Sequence, residues 1–525
     1  MSTYVQSPAD ELPRCDSPIP QAQPQRLAAI ARMRGLSPAA VDTARVLEIG
    51  CGNGSNLIPL AERYPAASFV GIDGSARAIA AATEEAHTLG LANVAFERRS
   101  IGELPNAGEP LDYILAPDVY SWVDAATRDA LLTECRARLA PQGLVYLNHN
   151  VYPGWKFHEM LGAMMRFAAK DTRTAAERLA AGRSVLEFML ATLPADDPGY
   201  GGMLSAIARP ILQQPDAIVL RNYLLAPGQA AYYRQFARHV GAHQLQVLGD
   251  AALSIRAYDY LSARQERELA AIATDPDEQE ELRDVLQNKS HRQSILCHAG
   301  LTLDRAAGAF RLRGLYLEGR LTTTQPDSSV ELFDLMTFTA PDGTSVETGV
   351  PVVKAALAHL GAVWPSSVEF DELLKQARQR VEGTERTPAP MRALDVRRLE
   401  DNVLQCCVGG LVQVHGAPPS FVGVVSERPV SSPLARRQAA HDEIATNRRH
   451  QPVRLEPFDR YVLSLLDGTR SVADIVDHLV TGAANGQLAL VENGRPVPPE
   501  RATAFASNEL AASIKRLVDS AFLIA

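Results

Sequence analysis

The sequence predicts an α/β fold with a parallel sheet at its centre, on three observations. An apolar run, Val46 to Ile49, passes straight into a loop with glycines at 50, 52 and 54. A second run, Phe69 to Ile72, ends at Asp73, nineteen residues after Gly54. Through the first third, apolar runs without strict alternation separate stretches of helical spacing, as in a sheet covered on both faces.

Each element follows from its own pattern. After a proline-rich arm (Pro8 to Pro24), Gln25–Gly35 carries Leu27, Ile30 and Ala31 at helical spacing and stops at glycine. Strands are predicted over Arg45–Ile49, Ser68–Ile72, Asn93–Glu97, Leu111–Ala116 and Leu144–Asn148. Helices are predicted over Ser55–Tyr64, Ser75–Leu89 and Ala125–Leu139. From Lys156 to Gly228 the spacing turns helical, with a stripe of Met160, Leu161, Met164, Met165 and Phe167 that reads as core. Helix Tyr232–His239 and strand Gln244–Leu248 read as a return to the sheet, and Asp275–Arg292 as one charged, solvated helix. Beyond these, short strands (Phe333–Phe338, Thr344–Glu347) and helices (Pro351–Leu360, Phe370–Val381, Leu394–Cys406) lead to strand Gly410–His415. A polar linker follows, then Val453–Leu466 and helices Val472–Val480 and Ala502–Phe522.

The glycine loop and Asp73 carry chemistry together. Side chains at 50, 52 and 54 would hold the backbone away from a bound ligand, and an acid at the end of the next strand can take two ribose hydroxyls. The pair points to a nucleoside cofactor. In open sheets ligands sit at the carboxyl ends of the strands, which selects loops 50–56, 73–75, 98–102 and 116–122. Those loops hold the candidate cofactor contacts Glu48, Gly50, Gly52, Gly54, Asn56, Asp73, Gly74, Ser75, Ser100, Ile101 and Pro117.

Composition narrows the partners. A net charge of −9 gives no general attraction to nucleic acid or anionic membrane. Residues 331–420 hold eight Lys/Arg against twelve Asp/Glu, and 433–525 hold eleven of each, so no clustered basic face marks a nucleic-acid partner. Arg436-Arg437 and Arg448-Arg449 read as solvated pairs. The six cysteines (15, 51, 135, 297, 406, 407) show no Cys-x-x-Cys spacing, and no metal is expected. Neither a signal-peptide pattern nor an apolar run of spanning length occurs, so a cytoplasmic protein without membrane insertion is expected. A homodimer is compatible with these features.

The wording Glu48-x-Gly-x-Gly-x-Gly54 resembles motif I of class I S-adenosylmethionine methyltransferases. Further along, Asp112-Tyr-Ile-Leu-Ala-Pro-Asp-Val-Tyr-Ser-Trp-Val123 and Val145-Tyr-Leu-Asn-His-Asn-Val-Tyr-Pro-Gly-Trp155 are similar to a bacterial family of methyltransferases with a regulatory domain. That family includes the rickettsial protein-lysine methyltransferases of outer-membrane proteins. Gln21–Ala31, Arg292–Cys297, Pro351–Pro365 and Leu434–Ala439 extend the resemblance over nearly the whole chain. It implies a Rossmann-like class I methyltransferase core, a helical middle domain and winged-helix-like C-terminal units. The corresponding domains are 1–44 (arm and helix), 45–155 (cofactor-binding core), 156–228 (helical cap) and 229–320 (return to core and regulatory domain). A winged-helix-like domain at 321–420, a linker at 421–450 and a C-terminal unit at 451–525 complete the chain.

The resemblance implies S-adenosyl-L-methionine as cofactor, with its amino-acid part over Gly50, Gly52 and Gly54, Glu48 organising the loop, and Asp73 on the ribose. Ser100 and Ile101 occupy the adenine loop, where relatives usually place an aspartate. Two departures fall in the reactive loops: Pro117-Asp118 replaces the usual His-Gly, and Asn148-His149 the usual Ser-Tyr. Candidate catalytic residues are His149 as proton acceptor, Asp118 as an orienting acid, and Tyr120. Trp122, Tyr152 and Trp155, with Tyr120, form an expected aromatic substrate channel. The implied reaction is methyl transfer to a lysine side chain of a protein or peptide substrate. Two alternatives stay open: a small-molecule N- or O-methyltransferase, and a cofactor-bound non-catalytic regulator.

Overall fold

A computed structural model describes residues 17–103, 108–193, 199–225, 228–252, 261–304, 312–325, 334–381, 389–492 and 495–525. Most of the proline-rich arm, Cys15 and the start of the strand expected at Phe333 lie outside them. Contacts divide the chain into two compact units, one centred on residues 30–304 and one on 305–525 together with 18–29. The first helix is α1 (Pro24–Met33).

The first unit is built on one sheet of β1 (Arg45–Ile49), β2 (Ser68–Asp73), β3 (Val94–Arg98), β4 (Leu111–Ala116), β5 (Leu139–Val151), β6 (Ala230–Ala231), β7 (Leu245–Asp250) and β8 (His291–His298). The strand order is β3-β2-β1-β4-β5-β8-β7, with β6 added beside the end of β5. β1 to β5 pair in parallel, whereas β8 runs antiparallel to both β5 and β7. The parallel arrangement expected for the strands of the first third is present, and β8 adds one antiparallel strand beyond them. Residues expected to end a charged helix are that strand: α11 stops at Gln287 and β8 begins at His291.

Helices α2 (Leu57–Arg63), α3 (Ala76–Thr88), α4 (Ala125–Arg138) and α9 (Tyr233–Ala242) accompany the strands. Their starts are set by local chemistry: Ser75 accepts from the Ala78 N–H at the head of α3, and Asp124 from the Thr127 N–H at the head of α4. Phe236 and Val240 of α9 join Leu131, Leu132 and Cys135 of α4 in the core that includes Ile114 and Leu147. Between β5 and β6 the chain forms α5 (Trp155–Ala168), α6 (Ala175–Thr192), α7 (Tyr200–Gln213), α8 (Asp216–Val219) and a π turn at Leu220–Leu224. Leu161 and Met165 of the expected stripe are core here, while Phe167 is exposed. α10 (Ala263–Ile272) and α11 (Pro276–Gln287) precede β8.

The charged helix α11 is not wholly solvated. Asp284 is fully buried, and both its oxygens accept from Arg292 Nε, at 3.0 and 2.8 Å. Arg292 also donates to Glu280 Oε2 at 2.9 Å and lies 4.2 Å from the centre of the Tyr233 ring. That pair fastens α11 to β8.

The second unit contains β9 (Tyr316–Glu318), β10 (Met336–Thr339), β11 (Ser345–Thr348), α12 (Pro351–Val363), β12 (Val368–Glu369), α13 (Phe370–Val381), α14 (Ala389–Val408) and β13 (Gln413–His415). β12, β9 and β13 form an antiparallel sheet. The expected linker is itself structured: α15 (Pro433–His441) and β14 (Ile444–Thr446) pack with β15 (Pro452–Arg454), α16 (Pro457–Leu465), α17 (Val472–Ala484) and α18 (Pro499–Asp519) around one apolar core. Arg449 is correspondingly not solvated. It donates to the buried Glu318 at 2.7 Å and lies 4.4 Å from the Trp364 ring centre and 4.5 Å from that of Phe421. Among the described residues no helix is long and apolar enough to cross a membrane.

Removing the carboxylate of Asp284 leaves a buried guanidinium with its main partner gone. Asp284→Ala is expected to destabilise the first unit by about 3–5 kcal/mol, read as a lowered midpoint of chemical unfolding.

Candidate active site

The strand order reverses between β1 and β4, and the loops after β1, β2 and β4 come together there. Gly50, Gly52 and Gly54 all have left-handed backbone, with φ of 77°, 55° and 79°. A Cβ on Gly50 would sit 2.9 Å from Val119 of the β4 loop, and one on Gly54 would sit 2.7 Å from Phe96. Backbone strain and close approach thus both require glycine. Asp73 locks the turn: Gly52 N–H donates to Oδ2 at 3.1 Å and Ser75 N–H to Oδ1 at 2.7 Å. Glu48, buried at the end of β1, accepts from Asn56 Nδ2 at 3.1 Å. At Gly74 a Cβ would meet nothing within 4 Å, so the face beside Asp73 is open. Ser100 is exposed, its N–H bound to Glu103 at 3.0 Å, and Ile101 packs at the edge of the core.

The β4 and β5 ends meet through the two substituted motifs. Pro117 is buried, and Asp118 adopts a left-handed φ of 53°. Its N–H donates to Asn148 Oδ1, Asn148 Nδ2 donates to Asp118 Oδ1 at 2.6 Å, and Arg221 donates to Oδ2 at 2.8 Å. These bonds over-determine a conformation that L residues seldom adopt. The two departures from the family pattern are partners of each other. Ser121 Oγ accepts from the Asn150 N–H at 2.8 Å, which places Asn150 in the same cluster, and Asn150 Oδ1 lies 3.4 Å from His291. Asn150 is buried, and among the described residues its side-chain Nδ2 has no hydrogen-bond partner.

His149 lies apart from this cluster. β5 runs to Val151 rather than ending at Asn148, so His149 belongs to the strand and faces the other way from its two asparagine neighbours. Its imidazole stacks on Phe236 with ring centres 3.7 Å apart, and Nε2 lies 3.0 Å from Ser294 Oγ. Burial, assisted by the positive charge of Arg292, holds it well below the usual histidine range. A buried imidazole that resists protonation matches poorly the proton-accepting role expected for it. Tyr120 faces the same layer: its hydroxyl meets His239 Nδ1 at 2.6 Å, and burial pushes the phenol up to about 12.

The expected aromatic channel divides in the same way. Trp122 and Trp155 meet edge to face with centres 6.1 Å apart, and Trp155 stacks on His158 at 4.8 Å and on Tyr223 at 6.4 Å. Tyr152 instead pairs with Tyr232, donates to Glu159 at 2.7 Å and carries Lys156 over its ring at 3.8 Å. Arg221 and Tyr223, from the π turn, and His291, from β8, are site neighbours missed by the sequence reading. A π turn is often found at functional sites, but nothing in the local sequence announces this one.

Comparison with known proteins identifies the family. Residues 46–143 match the family model "Methyltransferase domain", 215–298 the "Predicted methyltransferase regulatory domain", and 427–522 "PKMT, C-terminal winged helix domain". The chain belongs to the class I S-adenosylmethionine-dependent methyltransferases. The structure of PKMT2 from Rickettsia typhi in complex with AdoHcy aligns with a TM-score of 0.87 at 25% identity, covering 98% of this chain and 100% of that one. Among curated proteins, RP789 of Rickettsia prowazekii is 26% identical over 498 residues, which is 94% of this chain and 89% of the relative. RP028 of the same organism is 30% identical over 227 residues, which is 43% of this chain and 91% of that one.

The methyltransferase uses S-adenosylmethionine, and the cradle fits it: three left-handed glycines, of which Gly50 and Gly54 have no room for a side chain, beside an acid whose flank is open. Gly52→Ala is expected to weaken cofactor binding at least ~10-fold while costing about 1–2 kcal/mol of stability, measured by calorimetry and unfolding. The pH response of the fold is set in part by His158. Burial, then the charge of His291, pushes it down to about 4. Its contribution is full above the unfolded value of about 6.5 and is lost as pH falls from there toward about 4. His158→Gln should flatten the fall of stability with acid by up to about 1.4 kcal/mol per pH unit, read from unfolding curves at stepped pH.

Proposed function

We propose that this methyltransferase transfers the methyl group to the ε-amino group of a lysine in a protein substrate. The observation that carries the reading is the cluster of Asp118, Asn148 and Asn150 at the ends of β4 and β5, with Ser121 joining it to Trp122. The whole-length likeness to PKMT2 and the PKMT winged-helix match at 427–522 support the choice of substrate class.

When bound, S-adenosylmethionine supplies an already activated methyl group on a sulfonium. The chain then has to align the acceptor, keep its amine neutral and exclude water. Gly50, Gly52 and Gly54 hold the amino-acid part, with Glu48 and Asn56 bracing the turn. Asp73, Gly74 and Ser75 border the ribose, Ser100 and Ile101 the adenine, and Pro117 closes the floor between them. Asp118 is committed to Asn148 and Arg221, so it orients the site rather than taking a proton. Asn150 Oδ1, 3.4 Å from His291 Nδ1, is placed to accept from an N–H of the amine and so orient it while its lone pair stays free for the methyl group. The paired indoles of Trp122 and Trp155 flank the lysine stem. His149 and Tyr120 are positioning residues in this scheme, fixing β5 and the 120–122 turn against α9.

Purified protein incubated with methyl-labelled S-adenosylmethionine and fractionated bacterial lysate tests the substrate class. Label in discrete protein bands, mapped to lysine by peptide mass spectrometry, is the expected result. Label confined to small molecules contradicts it. With the labelled substrate in hand, Asn150→Ala should lower kcat on the order of 10²-fold with cofactor affinity nearly unchanged.

A further inference from the structure

We infer that Asp129, His239 and His243 form a divalent-metal site where α4 meets α9. This inference is independent of the acceptor proposed above. Asp129 lies on α4, His239 on the last turn of α9, and His243 is the residue that caps the C-terminus of α9. Asp129 Oδ1 is 2.7 Å from His239 Nε2 and 3.4 Å from His243 Nε2, and one ligand atom of each residue lies within 4.8 Å of the others. The donors converge on a partly open face: the Asp129 side chain is 60% exposed, and the imidazoles are 26% and 18% exposed.

The arrangement is more than a chance meeting of polar groups, because each imidazole is braced from behind. His239 Nδ1 lies 2.6 Å from the Tyr120 hydroxyl, and His243 Nδ1 lies 3.2 Å from Thr133 Oγ1. When each Nδ1–H donates to its hydroxyl, both Nε2 lone pairs face Asp129. Outer-shell bonds of this kind fix tautomer and ring direction in metal-bound histidines. A tetrahedral ion bound at ~2.0–2.1 Å places its ligand atoms ~3.3 Å apart. The Asp129–His243 spacing of 3.4 Å already matches, and the exposed Asp129 need only draw back slightly from His239. Two imidazoles and one carboxylate suit a borderline divalent cation of the zinc type rather than calcium or magnesium, with water completing the shell.

Such an ion would tie α4 to α9 and, through His239, hold Tyr120 in place. Tyr120 begins the turn whose Ser121 grips the backbone of Asn150, so the metal would brace the reactive loop from the far side of β5. The signal in the sequence is His239-x-x-x-His243, a pair that reaches one face of a helix but finds its third ligand more than a hundred residues earlier.

The test uses the full chain, stripped with chelator and then titrated with Zn²⁺ alone by calorimetry. Stoichiometry after gel filtration is read by elemental analysis. The wild-type protein is expected to retain one equivalent more than His243→Ala, and to gain a higher thermal midpoint with Zn²⁺ that His243→Ala does not. Asp129→Asn serves as a second variant, since its exposed side chain can change without disturbing the core, and should lose the same equivalent. Equal zinc retention by the wild type and both variants would overturn the site, as would failure of the wild-type protein to retain zinc.

Discussion

The Asp73 carboxylate is the contact on which the functional edge of the sheet depends. Each oxygen takes one backbone N–H, from Gly52 after β1 and from Ser75 after β2. Backbone amides held by a charged acceptor form strong, directional bonds, so one side chain fixes two loops at once. The left-handed glycine turn then presses Gly50 on Val119, and the β4 loop passes the constraint to β5 through Asp118 and Asn148. The glycine turn and the Asp118–Asn148 cluster are therefore one continuous piece of structure. Neither is a separate loop laid over the fold.

β5 divides its labour between its faces. Asn148 and Asn150 serve the polar cluster, while His149 packs on Phe236 with Tyr120 beside it. Strand alternation alone dictates this once the strand extends through Val151. The polar face holds the Asp118 carboxylate paired with Asn148 and Arg221, and the Asn150 amide beside His291. The packed face carries the aromatic and histidine layer that leads out to Asp129.

Much of this was legible in the sequence. The glycine spacing, the acid ending the second strand and the strand–helix alternation specify the cradle, because the chemistry lies within thirty residues and each part has a local pattern. The motifs around Trp122 and Trp155 likewise meet in space. What was not legible was non-local. The end of the strand holding His149 was placed three residues too early, and the strand's alternation sets which face that side chain takes. Arg221 and His291 reach the site from elements with no local motif. Arg449 read as solvated because its partner Glu318 is 131 residues away, and Asp284 because Arg292 belongs to a strand rather than to the same helix. Buried ion pairs across distant segments leave no periodic trace.

A co-crystal structure with S-adenosylhomocysteine tests the central claim most directly. The account predicts the ribose hydroxyls on Asp73, the amino-acid part over Gly50 to Gly54, and the sulfur facing the Asp118–Asn148 pair. Ligand bound elsewhere, or an Asp73 carboxylate that holds only the two loops and leaves the ribose to other groups, would contradict it.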